Sequence, residues 1–279
     1  DRTAKIATDG RYTTQIAEEV PDIEATIGRK TAVELLSQVA EGHRVGFEAD
    51  YVSVSELQRL EQECPEGVTL VPVSGVIEEI RLYKEELEIT RLAEAAQLAT
   101  QALEDLVEAG QLRAGRSELE VAADLEYRMR SLGAERPSFD TIVASGPNAS
   151  KPHHQAGERI IAKGDFVTID YGMHRLGYNS DMTRTFAIGE VGDLEREIYE
   201  VTLKAQLAGV NASTPGTKLS DVDKACRDVI EEAGYGEYFV HSTGHGVGLD
   251  VHEGPYAAKT GTGKLEQGMT LTIEPGIYI

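Results

Sequence analysis

Two stretches about a hundred residues apart carry the same helix punctuation, and no other feature of the chain limits its possible folds as much. Gly115 to Gly133 brackets a helix opened by Ser117 with Glu120 three residues on, and Gly216 to Gly234 brackets another opened by Ser220 with Asp223. Both pairs of glycines are 18 apart. Both openings have the form of a capping box, in which first-turn side chains satisfy otherwise free backbone N–H groups. Displaced by 101, Val121 meets Val222, Leu125 meets Cys226 and Met129 meets Ile230. Downstream, "KGDFVTIDYG" (163–172) is answered by "EQGMTLTIEPG" (266–276); Gly164 to Asp170 and Gly268 to Glu274 each span six residues, and Gly172 matches Gly276. Chance likeness of common helix and strand patterns is the competing account. A true repeat predicts two similar α/β halves around a shared sheet, with Asp170 and Glu274 in equivalent places and turned into one central site.

The stretch "DFVTIDYGMHRLGYNSDMTRTFAI" (165–188) reads as two β-prone arms around a loop, His174-Arg175-Leu176-Gly177. In that register positions whose numbers sum to 351 face each other, so Met173 pairs with Tyr178 and Asp170 with Asp181. Directly opposed like charges repel at about 4.5–5.5 Å, so a cation is expected between them. A slipped register would instead leave both carboxylates in water.

Residues 1–80 read as a separate small α/β domain and 81–279 as the main one. In the first, Asp9-Gly10 signals a hairpin, residues 31–40 a short amphipathic helix, and "RVGFEAD" and "VTLVPV" strands. Residues 81–109 form one long helical pattern that Gly110 stops. The chain opens on Asp rather than Met, which reads as a trimmed product or fragment. With 48 acidic against 27 basic residues the formal charge is −21, which disfavours nucleic acid and anionic membranes as partners. Cys64 and Cys226 set up no disulfide framework. No apolar run approaches the ~20 residues of a membrane span, and a cytoplasmic location is expected.

"FVHSTGHGVGLDVHEGP" (239–255) holds three of the seven histidines. His241 and His245 have a helical ligand spacing, but Gly244, Gly246 and Gly248 argue for an extended segment packed close to other backbone. His245 and His252 are separated by an odd number of residues, so an extended segment need not put them on one face. Pro275 holds Glu274 extended. A Gly/Pro/Asn loop, "GPNASKPHHQAG" (146–157), adds His153 and His154. Several histidines in glycine-rich loops beside buried carboxylates point to a site.

"IDYG…YNSDMTRTF", "HSTGHGVGLDVHEGP" and "TIEPGIYI", in this order and spacing over roughly residues 81–279, closely resemble the metallopeptidase family of methionine aminopeptidase, aminopeptidase P and prolidase. The resemblance implies a pita-bread catalytic domain with pseudo-twofold halves, preceded by a creatinase-like α/β N-terminal domain, as in Xaa-Pro peptidases. It implies hydrolysis of the bond between an N-terminal residue and a following proline, by an aminopeptidase or a dipeptidase. By the same resemblance Asp170, Asp181, His245 and Glu274 match metal ligands, with Asp181 bridging two divalent cations. His252 matches a histidine that contacts the substrate and aids proton transfer, His153 one on the substrate's N-terminal side, and His241 one lining the proline pocket. A fifth ligand, a Glu expected near position 285 from the repeat, falls outside the 279 residues; the 279-residue form is accordingly expected to have a vacant or half-occupied metal site and to be a poor enzyme. The oxygen-rich donor set suits Mn²⁺, with Co²⁺, Fe²⁺ or Zn²⁺ feasible; two such ions ~3.5–4 Å apart can bring the pKa of a shared water toward neutrality. A homodimer is expected. The competing functions are a metal-free creatinase-like amidinohydrolase and a non-catalytic binding module of this fold; the four ligand positions argue against both.

Overall fold

The computed structural model describes residues 3–279 and divides into two compact units, 1–77 and 78–279. In the first, strands β1 (Lys5–Thr8) and β2 (Glu24–Ile27) pair in parallel. The predicted hairpin at Asp9-Gly10 does not form. The Asp9 carboxylate accepts the backbone N–H of Arg11 at 2.9 Å and opens a 3-10 turn, Gly10–Tyr12. That turn runs into α1 (Thr13–Glu19), a crossover that returns the chain parallel to β1. Next come α2 (Thr31–Leu36), which stops four residues short of the predicted end, β3 (Arg44–Glu48), α3 (Val54–Gln62) and β4 (Thr69–Val73). Strands β3 and β4 are again parallel, and Val33, Leu36 and Leu60 form this unit's core. Helix α4 (Val76–Arg81) follows.

Helix α4 runs across the division at residue 78, and the first helix wholly within the second unit is α5 (Glu86–Glu108), which starts five residues later than its periodicity suggests because Glu85 and Glu88 close a capping box there. Then follow α6 (Glu118–Ser131), β5 (Arg136–Pro137), β6 (Ile142–Ser145), β7 (Phe166–Tyr171), β8 (Met173–Arg175), β9 (Tyr178–Asn179) and β10 (Met182–Ala187). Beyond them lie α7 (Asp193–Ala212), α8 (Leu219–Glu232), β11 (Gly244–Gly246) and β12 (Glu253–Ala257). Strand β7 is central, antiparallel to both β6 and β10, and its inward residues Val167, Ile169 and Tyr171 join Leu103, Leu106, Val121, Leu125 and Met129 in the largest core cluster.

The repeat is present in the backbone. Helices α6 and α8 have 14 residues each and end alike: Gly133 and Gly234 take positive φ of 102° and 86°, and the next N–H groups reach back to Met129 O and Ile230 O at 3.0 Å. This is the Schellman pattern, which a glycine at that position permits. Before the helices, Gly115 N donates to Ile161 O at 2.9 Å and Gly216 N to Leu265 O at 2.7 Å. The halves differ at the second helix start: α8 begins at Leu219 with no side-chain cap, so the Ser220–Asp223 box is not made. They differ again on the outer helices. Ala95, Ala99, Leu103 and Leu106 of α5 are buried, whereas Tyr199, Leu203, Leu207 and Val210, each 104 positions on, are exposed on α7.

The expected register of residues 165–188 is off by two. Asp170 faces Thr183 and Tyr171 faces Met182; farther along, Arg175, not Met173, faces Tyr178. The cause is the turn, which closes through two residues, Leu176 and Gly177, at φ of 50° and 85°, rather than four. A slip of two preserves side-chain parity. Asp181 therefore ends up beside Asp170's partner instead of opposite Asp170 itself. Gly172 is needed here, since a Cβ would lie 1.9 Å from Ser180 O.

Candidate metal centre

Three segments converge: the end of β7 with Asp170, the residue before β10 with Asp181, and β11 with His245. A fourth, the extended stretch through Glu274, is not a regular strand. It is tied to the β11 segment by Thr272 N to His245 O and Glu274 N to Thr243 O, both at 2.8 Å. Close approach is what the glycines allow: a Cβ on Gly244 would fall 1.9 Å from Thr272 O, and one on Gly246 2.0 Å from Gly254 O.

His245 is the hub. Its Nε2 lies 3.1 Å from Glu274 Oε1 and 3.4 Å from Asp181 Oδ2, and its ring centroid is 4.3 Å from that of His252. Donor atoms of Asp181, His245 and His252 all lie within 4.8 Å of one another. The odd spacing of the two histidines does not separate them, because a bulge between His245 and Gly246 breaks the ladder that would have fixed their faces. His245 Nδ1 is 2.9 Å from Gly246 O; donating there leaves Nε2 as the atom free to ligate. Thr272 accepts His245 N at 3.0 Å and donates to Glu274 Oε1 at 2.6 Å. Nothing in the sequence singled Thr272 out, although it lies two residues before Glu274 in an alternating segment.

Electrostatics set this cluster apart. Burial, with Asp181 and Glu274 adding to it, pushes the Asp170 carboxyl up to about 7. Burial and Glu274 push Asp181 to about 6. Burial is the largest influence on both His245 and Glu274 and works against charge, but their mutual hydrogen bond, together with Gly246 O on the imidazole and Thr272 on the carboxyl and the attraction between the two groups, outweighs it, raising the imidazole and lowering the carboxyl. Asp170 Oδ1 is buried and has no hydrogen-bond partner. A buried acceptor without a donor costs free energy unless something positive meets it. Three carboxylates and one imidazole with an orphaned oxygen fit divalent cations, by the hardness of the donors and by charge.

The remaining histidines lie in different settings. His252 is exposed, and burial of its surroundings together with His245 holds its pKa below the usual value. His153 is exposed on its loop and close enough for its charge to depress His252 further. His241 has both ring nitrogens engaged, Nδ1 at 2.7 Å from Ser242 O and Nε2 at 3.0 Å from the Tyr278 hydroxyl, with Phe239 and Tyr278 edge-on to its ring. His154, the second of the pair after Pro152, turns away and binds Glu118 at 2.7 Å.

Residues 90–279 match the model of Metallopeptidase family M24, and residues 1–83 match the Creatinase/Prolidase N-terminal domain. The chain belongs to metallopeptidase family M24. It is 44% identical over 207 residues to the Xaa-Pro dipeptidase of Pyrococcus furiosus, covering 74% of this chain and 59% of that protein. Among solved structures, the Xaa-Pro dipeptidase from Bacillus anthracis superposes with a TM-score of 0.94 at 42% identity, over 100% of this chain and 78% of that one. The X-Pro aminopeptidase from Thermotoga maritima gives 0.91 at 34%, over 100% and 79%. The two-domain architecture expected from the sequence, a creatinase-type N-terminal domain before an M24 catalytic domain, is that of these M24 relatives.

Proposed function

We propose that the chain is a metal-dependent Xaa-Pro peptidase that hydrolyses the bond between an N-terminal residue and a following proline. The observation that carries the reading is the half-buried Asp170–Asp181–Glu274 cluster around the buried His245, with Asp170 Oδ1 unpartnered. Asp170, Asp181, His245 Nε2 and Glu274 would hold two divalent cations, and the oxygen-rich donor set favours Mn²⁺. When bound, such ions supply Lewis acidity toward water and the scissile carbonyl. The chain's own residues do the rest. His252, neutral at pH 7 because its pKa is held down, can take up and return a proton at the reacting amide. His153 lines the side where the substrate's N-terminal residue sits. His241, its orientation fixed by Ser242 O and Tyr278, walls the proline pocket. Thr272 keeps Glu274 aimed inward. A cytoplasmic homodimer belongs to the same proposal.

The test is to assay the purified protein with Mn²⁺ on Xaa-Pro dipeptides, Xaa-Pro-Yaa tripeptides and matched Xaa-Ala controls. Cleavage confined to the proline series supports the reading, and preference for dipeptide or tripeptide assigns prolidase or aminopeptidase action. Equal cleavage of Xaa-Ala peptides would overturn it.

A further inference from the structure

The turn that carries His252 is held by a buried ionic cluster that the reaction itself does not use. Glu253, the next residue, is 9% exposed on its side chain, yet it lies among charges. Its Oε1 accepts Lys84 Nζ at 2.6 Å, and the Lys84 side chain is only 2% exposed. Its Oε2 accepts Arg81 Nη2 and, at 3.3 Å, the backbone N–H of Asp250. Arg81 also reaches Asp250 Oδ2 at 2.8 Å, and Lys84 Nζ donates to Arg81 O at 2.7 Å. Lys84 N in turn donates to Gly268 O at 2.9 Å. A Cβ on Gly248 would sit 2.5 Å from the Glu253 carboxylate, so the 247–253 turn is wrapped on that group. Its far side is fixed by Asn179, whose Nδ2 donates to Gly248 O and Leu249 O at 3.1 and 2.8 Å.

Arg81 and Lys84 lie on the segment that leads out of α4 into α5, ahead of the M24 match at residue 90. We infer that Glu253, gripped by Arg81 and Lys84, is a positioning residue that fixes the turn presenting His252, so that the residues opening the second unit, ahead of α5, are a structural part of the active site. The geometry is fixed above all by Lys84, because breaking its contact with Glu253 leaves a buried ammonium without a counter-charge, while Arg81 ties the same carboxylate to Asp250. Through the peptide bond they share, that geometry sets where the His252 ring stands beside His245.

This inference rests on the proton-transfer role proposed for His252, and its test separates the two. In the Mn²⁺-loaded protein, Glu253→Gln is expected to lower kcat on an Xaa-Pro dipeptide about 10- to 100-fold, the loss that a displaced catalytic group produces. KM should stay within about twofold and bound Mn²⁺ should be unchanged. Lys84→Met should give the same pattern more weakly, Glu253→Asp should recover part of kcat, and the double variant Lys84→Met with Glu253→Gln should be less impaired than the two single losses multiplied. Independently of activity, the NOE between the His245 and His252 ring protons in the metal-free protein should weaken in Glu253→Gln. A melting temperature that falls while kcat and the NOE hold would overturn the inference, as would loss of Mn²⁺ in step with kcat. If the wild type fails to cleave Xaa-Pro peptides, the proposed function falls, while the NOE comparison still decides the positioning. If Glu253→Gln does not fold, Lys84→Met and Glu253→Asp give the same readouts.

Discussion

Glu118 and Asp170 are carboxylates withdrawn from water in the same half of the repeat, and they end in opposite states. Glu118 is fully buried and saturated: Oε1 accepts Ser145 N at 2.8 Å, Ser145 Oγ at 2.7 Å and Asn148 Nδ2 at 3.0 Å, while His154 Nε2 lies 2.7 Å from Oε2. Burial alone would raise its pKa, but those donors hold it down at about 2. Asp170 has an orphaned oxygen and two carboxylate neighbours, and its pKa goes the other way. A satisfied buried carboxylate is a structural clamp, here stitching the 145–157 loop that carries His153 onto α6. An unsatisfied one among like charges is suited to seating a cation, the role proposed for Asp170. The second half repeats the clamp with different residues. Asp223 on α8 accepts Thr243 N and Thr243 Oγ1 at 3.1 and 3.0 Å and pairs with Arg227, whose Nη atoms donate to Phe239 O and His241 O. Each half thus ties a histidine-bearing loop to its inner helix by one buried acid.

The largest effect that could break this contrast is on metal and activity. Asp181→Ala or Asp170→Asn should abolish Mn²⁺ binding at the shared site, measured by calorimetry, and lower Xaa-Pro cleavage by well over the ~100-fold typical of residues that only support ligands. Glu118→Gln, by contrast, should leave Mn²⁺ stoichiometry intact. Equal loss of metal in Glu118→Gln and Asp170→Asn would erase the distinction between clamp and seat. One step smaller is His252→Ala, expected to keep its Mn²⁺ and lose about 10²- to 10⁴-fold in kcat, the range for a general acid or base. Metal lost from this variant would instead make His252 a ligand, which its place within 4.8 Å of Asp181 and His245 geometrically permits.

Stability sharpens the comparison next. Glu118→Gln removes charge-assisted hydrogen bonds and should cost about 1.5–3 kcal/mol in urea unfolding. Asp170→Asn in the metal-free protein should instead stabilise, because it deletes a charge that burial, Asp181 and Glu274 penalise more than Thr183 and His245 relieve. A destabilised metal-free Asp170→Asn would mean that the carboxylate is satisfied after all.

The repeat was readable from sequence because its marks are local: glycines at helix ends need positive φ, and apolar spacing follows the helix period. Asp170, Asp181, His245 and Glu274 were nameable as candidates through the family resemblance of their motifs, and the parity of a strand kept the first two together even though the register was misread by two. The register itself could not be read, because Leu176 adopting a left-handed conformation breaks the usual preference for glycine or asparagine there. Glu118 and Asp223 escaped for a different reason. Glu118 lies in the first turn of α6, where an acid ordinarily faces solvent and favours the dipole, and Asp223, though it falls in the second turn of α8, stands in a sequence that reads as a capping signal. Only the tertiary approach of Ser145 to one and Thr243 to the other turns them inward. The grip of Arg81 and Lys84 on Glu253 spans some 170 positions and leaves no local trace.

The smallest expected effect is on pH dependence, and its sign differs between the two acids. Asp170 has a folded pKa of about 7 against 3.8 for a free side chain. A carboxyl raised on folding contributes stability that is complete below the unfolded value and is lost as pH climbs through the folded one. Metal-free protein should therefore lose stability between about pH 4 and 7, Asp181 adding a component of the same sign near 6. Glu118 runs in reverse: its folded value of about 2 lies below the ordinary 4.5, so its contribution is present above 4.5 and fades as pH falls toward 2. Urea unfolding of metal-free wild type, Asp170→Asn and Glu118→Gln from pH 3 to 8 separates the two. The advantage of Asp170→Asn over wild type should grow as pH rises from 4 to 7, and the deficit of Glu118→Gln should shrink only below pH 4.5. Saturating Mn²⁺ should turn the first trend around, since the cation then pairs the charge that burial had penalised, and leave the second untouched. Parallel trends for both variants with and without Mn²⁺ would mean that a single electrostatic environment serves both carboxylates, and the contrast drawn between clamp and seat would be wrong.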